Sequence, residues 1–212
     1  MNILIVLAGN PPSKSLLKTE IILADLVLAV DGGLNAFRMY KLQPDIVLGD
    51  MDSTDLRMID DVEIVSFPDQ NLTDLQKTLS YVFDLYSIKS ITLLGAGGAR
   101  SDHFLNNLHI CASMDDSVKV LFKNEISDIE EFEFEIIQRI TPQCIFDLPV
   151  KKGSTLSILP IADFSGLKSE GLKWEIQGLD YSASFISQSN QAVKDNPTLS
   201  IQLGYAYIAV YQ

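Results

Sequence analysis

The sequence predicts an α/β protein in two parts: an N-terminal α/β/α domain on a mostly parallel sheet over residues 1–122, and a C-terminal antiparallel β-sandwich over 123–212. Three observations lead there. Up to about Phe122, short apolar runs alternate with amphipathic segments, the grammar of βαβ units. After Phe122 the apolar residues recur with period two, in Glu131-Phe132-Glu133-Phe134-Glu135-Ile136 and in parts of 154–159 and 200–210, with Gly, Pro, Asn and Asp between. The chain is 47% hydrophobic over 212 residues, enough for one large core or two small ones.

The elements follow in order. Met1 to Ala8 is apolar but has neither a basic leader nor a small-residue cleavage site, so it reads as a first strand, 3–8. Further strands are expected at 26–30, 46–48, 62–67, 90–94 and 118–122. A helix over 73–86 places Leu75, Leu79, Val82, Phe83 and Tyr86 on one face, and Thr73 with Gln76 forms a capping box at its start. A second helix, 102–113, does the same with Phe104, Leu105, Leu108 and Ala112. No run is long enough to span a bilayer, and there is neither a low-complexity linker nor an internal repeat.

A formal net charge of −12 argues against a nucleic-acid-binding surface, which would concentrate Lys and Arg. The two cysteines, Cys111 and Cys144, stand alone in apolar stretches without metal-ligand spacing. Both read as buried thiols in a reducing compartment, so a cytoplasmic protein is expected. Met39, Met51, Met58 and Met114 read as ordinary packing, and His109 as a half-buried helical position without a role.

The chemistry concentrates at predicted strand ends, where ligands bind in open α/β sheets. In Gly49-Asp50-Met51-Asp52-Ser53, after strand 46–48, two carboxylates on an extended backbone point the same way and suit one hard cation. Two acids this close repel unless a cation, Lys or Arg compensates. Asp31-Gly32-Gly33 ends the preceding strand, although Asp-Gly-Gly is also ordinary turn chemistry. Asp69 and Gln70 follow strand 62–67, and Asp74 opens the next helix, where its positive end favours an acid in any case.

Gly95-Ala96-Gly97-Gly98-Ala99-Arg100 follows strand 90–94 and is a candidate phosphate cradle, because glycines permit close backbone approach and the next helix offers free N–H groups. It is neither a P-loop nor a dinucleotide fingerprint, since Arg100 stands at the third glycine position. Arg100 is suited to bidentate phosphate contact, and Asp102-His103 opens the helix, with His103 in a supporting role. In the C-terminal half, Trp174 and the Ser187-Gln188-Ser189-Asn190 break are on their own compatible with core or interface packing and with a turn.

Taken together these motifs resemble the thiamine pyrophosphokinase (thiamine diphosphokinase) family over nearly the whole chain. The matching elements are Asp31-Gly32-Gly33, Gly49 to Ser53, Asp69-Gln70 with Thr73-Asp74, and Gly98-Ala99-Arg100-Ser101-Asp102-His103 with Asn107. In the C-terminal half they are Gly171-Leu172-Lys173-Trp174 and Ser189-Asn190. The segment 123–150 carries no matching motif, and Gln191 stands where an acid is common.

The resemblance implies a Rossmann-like catalytic domain, a β-sandwich that binds thiamine and dimerises, and a homodimer with active sites between domains of different subunits. It implies Mg2+-dependent transfer of pyrophosphate from ATP to thiamine, giving thiamine diphosphate and AMP. Asp50, Asp52 and Asp74 would bind the metal, with Asp31 nearby. Asp31, Gln70, Thr73, Arg100, Asp102 and His103 would hold the nucleotide, and Asp50, Asp52, Asp74 and Arg100 would be the catalytic residues. Trp174, Ser187, Ser189 and Asn190 would form the thiamine pocket. Two other readings of the same acids stay open here: a Mg2+-dependent phosphohydrolase of a nucleotide or sugar phosphate, and a nucleotide or thiamine sensor without turnover.

Overall fold

The computed structural model describes residues 1–49, 62–67, 71–98, 100–126, 133–159, 161–181 and 187–212. It divides into two compact units, Met1–Cys111 with Phe122–Asn124, and Ala112–Leu121 with Glu125–Gln212.

The first unit runs β1 (Asn2–Val6), α1 (Lys14–Leu23), β2 (Leu26–Val30), a 3-10 turn (Asp31–Gly33), α2 (Leu34–Tyr40), β3 (Ile46–Gly49), β4 (Glu63–Ser66), α3 (Asp74–Leu85), β5 (Ser90–Leu94) and α4 (Ser101–Ala112). Its sheet is parallel in the order β5-β1-β2-β3-β4. All five residues of β2 are buried, as a strand covered on both faces requires. The register decides where chemistry can occur. Val6 pairs with Leu94 and Ala29, Val30 with Leu48, and Leu48 with Val65, so the carboxyl ends of all five strands finish at one level.

Several expectations shift in detail. β1 stops at Val6, because beyond it the chain turns along the end of β5 and the loop after it: Leu7 N–H donates to Leu94 O at 2.8 Å and Gly9 N–H to Gly95 O at 2.7 Å. Helices α1 and α2 were not legible. Of the apolar residues in α1 only Leu17 is buried, while Ile22 and Leu23 face outward, and α2 has just seven residues. The capping box at α3 forms as read, with Gln76 N–H donating to Thr73 Oγ1 at 3.3 Å and Thr73 N–H to Gln76 Oε1 at 3.0 Å. Phe83 in α3 and Leu105 in α4 are exposed rather than packed, and so are Met39 and His109. Their helices bury a narrower stripe than the period suggested. Met51 and Met58 lie outside the described residues.

Gly33 locks the 3-10 turn against the sheet: a Cβ there would lie 2.0 Å from Val6 O. Gly33→Ala is expected to cost about 1–3 kcal/mol in urea unfolding, since backbone must shift to admit one methyl group. Unchanged stability would show that the turn can lift off β1.

The residues of β6 (Lys119–Glu125) divide between the two units. The second unit continues with β7 (Phe134–Ile140), β8 (Thr155–Leu159), β9 (Phe164–Ser165), β10 (Leu167–Glu170), β11 (Gln177–Leu179), β12 (Ser187–Gln191), β13 (Thr198–Ser200), β14 (Leu203–Gly204) and β15 (Ala206–Tyr211). The antiparallel order β7-β15-β8-β12 and the sheet β11-β10-β13 share one apolar cluster. Ile158 and Ile208 enter it from the first sheet, Leu167 and Leu199 from the second, which makes the predicted sandwich.

The period-two pattern at 131–136 fades inside β7, where Ile137, Gln138, Arg139 and Ile140 are all buried; residues 131 and 132 lie outside the described set. Arg139 is the surprise. Its guanidinium donates to the carbonyls of Ala112 (3.3 Å), Met114 (3.0 Å), Asp115 (2.5 Å) and Val118 (3.0 Å), so it ties together the last residue of α4 and the turn that follows it. Both cysteines are free thiols. Cys111 is buried as expected, but Cys144 is half-buried in a turn, its thiol pKa raised first by burial and then by Asp147.

Candidate active site

At the common level of the strand ends, the first unit has a cavity of about 430 Å³. The ends of β1, β2 and β5 form its floor, through Leu7 to Gly9, Asp31, and Gly95 to Gly97. The first residues of α3, with Thr73 and Asp74, and Arg100 and His103 beside and within the first turn of α4 complete the wall. Of the residues expected at the site, the structure therefore brings Asp31, Thr73, Asp74, Arg100 and His103 together. Asp50, Asp52, Asp69 and Gln70 lie outside the described residues.

Asp74 is the first residue of α3, so its carboxylate meets the free N–H end of that helix. Lys77, one turn on, reaches back with Nζ 3.2 Å from Asp74 Oδ1 and 3.5 Å from Phe67 O. Lys77 is only 7% exposed and went unnoticed in the sequence. Its one available signal was an (i, i+3) position relative to Asp74 among residues otherwise read as a core face. Asp31 adopts φ +46, a left-handed backbone that an acid tolerates better than most side chains.

The glycine loop is pinned from two sides. Asn10 N–H donates to Gly97 O at 3.0 Å, and Asn107 Nδ2 in α4 donates to Ala96 O at 3.1 Å. Gly98 has φ +82, and a Cβ there would lie 2.2 Å from Asn10 Nδ2, so the β1 loop occupies the space of a side chain. The loop Ala8-Gly9-Asn10 is thus part of the site, although nothing in its composition marks it.

Arg100 and Asp102 form an exposed fork, Nε to Oδ1 at 3.0 Å and Nη2 to Oδ2 at 2.5 Å. Asp102's hydrogen bond from Arg100 holds its carboxyl below the usual range, and the same bond raises the guanidinium. Arg100 lines the cavity while Asp102 reaches it through Arg100. Among the described residues no cluster of three or more His, Cys, Asp or Glu forms a ready cation site.

In the second unit Trp174 is 57% exposed, and Lys173 Nζ lies 4.7 Å from the centroid of its ring. Ser187 and Ser189 sit on β12, Ser189 with φ +53 and its N–H donating to Ser157 Oγ at 3.0 Å. Asn190 is 4% exposed, and its amide faces the backbone of Trp174 rather than open space.

Two family models match the chain, described as the catalytic domain of thiamin pyrophosphokinase over residues 17–122 and its vitamin B1 binding domain over 143–206. The chain belongs to the thiamin pyrophosphokinase family. The first match contains the acids and the glycine loop, and the second contains Trp174 to Asn190. Solved structures agree on the fold. Thiamine pyrophosphokinase from Bacillus subtilis is similar at TM-score 0.77 and 20% identity, covering 100% of this chain and 99% of that one. The Candida albicans enzyme is similar at TM-score 0.78 and 16% identity, covering 99% and 88%, and the yeast enzyme at 0.74 and 18%, covering 99% and 86%. No curated protein sequence matches. Membership makes this an enzyme of thiamine diphosphate synthesis, a transferase acting on thiamine. Among the described residues no helix is long and apolar enough to cross a membrane.

Proposed function

We propose that the cavity of the first unit binds ATP with Mg2+, and that the chain transfers the pyrophosphoryl group of ATP to the hydroxyethyl oxygen of thiamine. The observation that carries this is the meeting of Asp31, Asp74 and Arg100 around one glycine-lined cavity. The donor set fits the metal. Asp31 and Asp74 supply hard carboxylate oxygens at one cavity, and Asp50 and Asp52 follow β3 in the sequence. Asp50, Asp52 and Asp74 would hold Mg2+, with Asp31 beside them. When bound, the metal supplies charge neutralisation for the phosphoryl oxygens.

The chain's own groups do the rest. Gly95, Ala96 and Gly97 line the cavity with little side chain to keep phosphate from the backbone, and the N–H groups opening α4 favour its charge. Arg100 turns its fork from Asp102 to phosphate, a bidentate exchange of one anion for another. Gln70, Thr73, Asp102 and His103 orient the nucleotide. The thiamine oxygen attacks the β-phosphorus, the bond to the α-phosphate oxygen breaks, AMP leaves, and a carboxylate of the site accepts the hydroxyl proton.

Thiamine, a cation, lies against Trp174 with Ser187 and Ser189 nearby, and a chain of net charge −12 favours its approach. We assign catalysis to residues 1–122, and thiamine binding and dimerisation to 123–212. The working assembly is a cytoplasmic homodimer with neither nucleic acid nor membrane as partner.

Product analysis tests the reaction. With ATP, Mg2+ and thiamine, equal amounts of AMP and thiamine diphosphate are expected, and chelation with EDTA should abolish both. Release of ADP, or of phosphate without thiamine, would defeat the assignment in favour of γ-phosphoryl transfer or a phosphohydrolase.

A further inference from the structure

The resemblance leads one to expect Asn190 in contact with substrate, but the structure gives its amide a different task. Nδ2 donates to Trp174 O at 2.8 Å, and Oδ1 accepts from Trp174 N–H at 3.2 Å and from Gln191 N–H at 2.9 Å. One side chain therefore grips both backbone polar groups of Trp174, and with Gln191 it has used both faces of its amide. At 4% exposure it has little surface left for a ligand.

Glu175 secures the other side of the same turn. Its Oε2 accepts from Ser169 Oγ at 2.6 Å, while Oε1 accepts from Gly171 N–H at 2.6 Å and Leu172 N–H at 3.1 Å. Burial would raise the carboxyl's pKa, yet these donors and Lys194 bring it below the usual value. Leu172 pairs with Ala192 in an isolated bridge, and Lys173 N–H donates to Gln191 O at 2.8 Å. The backbone from Gly171 to Trp174 is thus bonded at every residue, while the Trp174 ring stands in the open with a cation over its face. A large apolar ring held outward by a buried amide on one side and a fully hydrogen-bonded carboxylate on the other is a surface built for contact.

We propose that Asn190 and Glu175 are positioning residues that hold the Trp174 ring in the orientation that receives thiamine, and that Asn190 does not itself contact the substrate. This rests on Trp174 being the thiamine platform. The physical gain is preorganisation: a ring fixed before binding loses no further freedom on contact. Neither residue acts on phosphate, so their loss should weaken capture of thiamine and spare the transfer step.

Trp174 is the only tryptophan in the chain, so its fluorescence reports on this turn. In the intact protein thiamine is expected to quench the wild-type emission saturably. Asn190→Ala should lower the ligand-free anisotropy of Trp174 and raise the KM for thiamine about tenfold, the scale of one or two lost hydrogen bonds. The kcat should change by less than about threefold, with the KM for ATP unaltered. Glu175→Gln keeps shape and weakens the acceptor, and should move anisotropy and thiamine KM in the same direction by less; it carries the test if Asn190→Ala does not fold. Unchanged anisotropy and thiamine KM in a folded variant would overturn the proposal, as would a fall in kcat at constant KM. A wild-type chain that turns over thiamine with no response of Trp174 emission would overturn the platform itself, whereas the ligand-free anisotropies test the clamp alone.

Discussion

Asp74→Asn is expected to lower turnover by about a hundredfold or more while leaving a folded protein, measured as kcat for AMP release at saturating ATP and thiamine. Asp74 lines the cavity from the first turn of α3, and in the proposed reaction it is one of three acids that hold the metal. Removing its charge weakens that site at the place where transition-state charge is greatest. Stability should change much less. Asparagine keeps an oxygen for Lys77 Nζ and remains compatible with a helix start, so the losses are the ion pair and the interaction with the helix end. Lys77 is nearly buried, and a less compensated ammonium there sets the cost at about 1–3 kcal/mol, a few degrees of melting temperature. Near wild-type kcat would remove Asp74 from the chemistry. Collapse of the melting transition would instead make it a structural residue.

Arg139→Met should give the largest loss of stability, on the order of 4 kcal/mol, seen as a melting temperature lower by about ten degrees. Methionine fills much of the space, so the loss isolates the hydrogen bonds. Four backbone carbonyls would lose their guanidinium donor: those of Ala112, Met114 and Val118 in buried surroundings, and that of Asp115 where it is partly exposed and still accepts from Val118 N–H. A buried polar group without a partner costs about 1–3 kcal/mol, and partial relaxation keeps the total below the sum. Arg139→Lys should rescue little, because an ammonium is a single point and cannot span carbonyls served by two separate nitrogens. Hydrogen exchange should show early loss of protection near residues 112–118. A lysine variant of wild-type stability would refute this account.

How much of the molecule was legible follows from the range of each interaction. Runs such as Leu26 to Val30 announced buried parallel strands, because a strand covered on both faces has no polar face to show. The capping box at Thr73 and Gln76 was equally readable, being a contact between residues three apart. Helices α1 and α2 were missed because α1 buries only Leu17 among its apolar residues and α2, at seven residues, is too short to show a helical period. Lys77 and Arg139 were missed for the opposite reason. Each is a charged residue in an apolar neighbourhood, and partners that justify its burial lie outside its own element: Phe67, besides Asp74 in the same helix, for Lys77, and residues 112 to 118 for Arg139.

By itself the sequence determined the α/β and antiparallel halves, the order of the aspartate and glycine motifs, and through them the family. These are carried by residue type and local spacing, which no folding event alters. Only the tertiary structure decided that Asp31, Asp74 and Arg100 share a cavity, because that depends on parallel register bringing the ends of β1, β2 and β5 to one level. It also decided that Asn190 turns inward to hold Trp174 while the ring faces out. An asparagine side chain takes whichever partner the fold presents, and that partner lies sixteen residues away in the sequence.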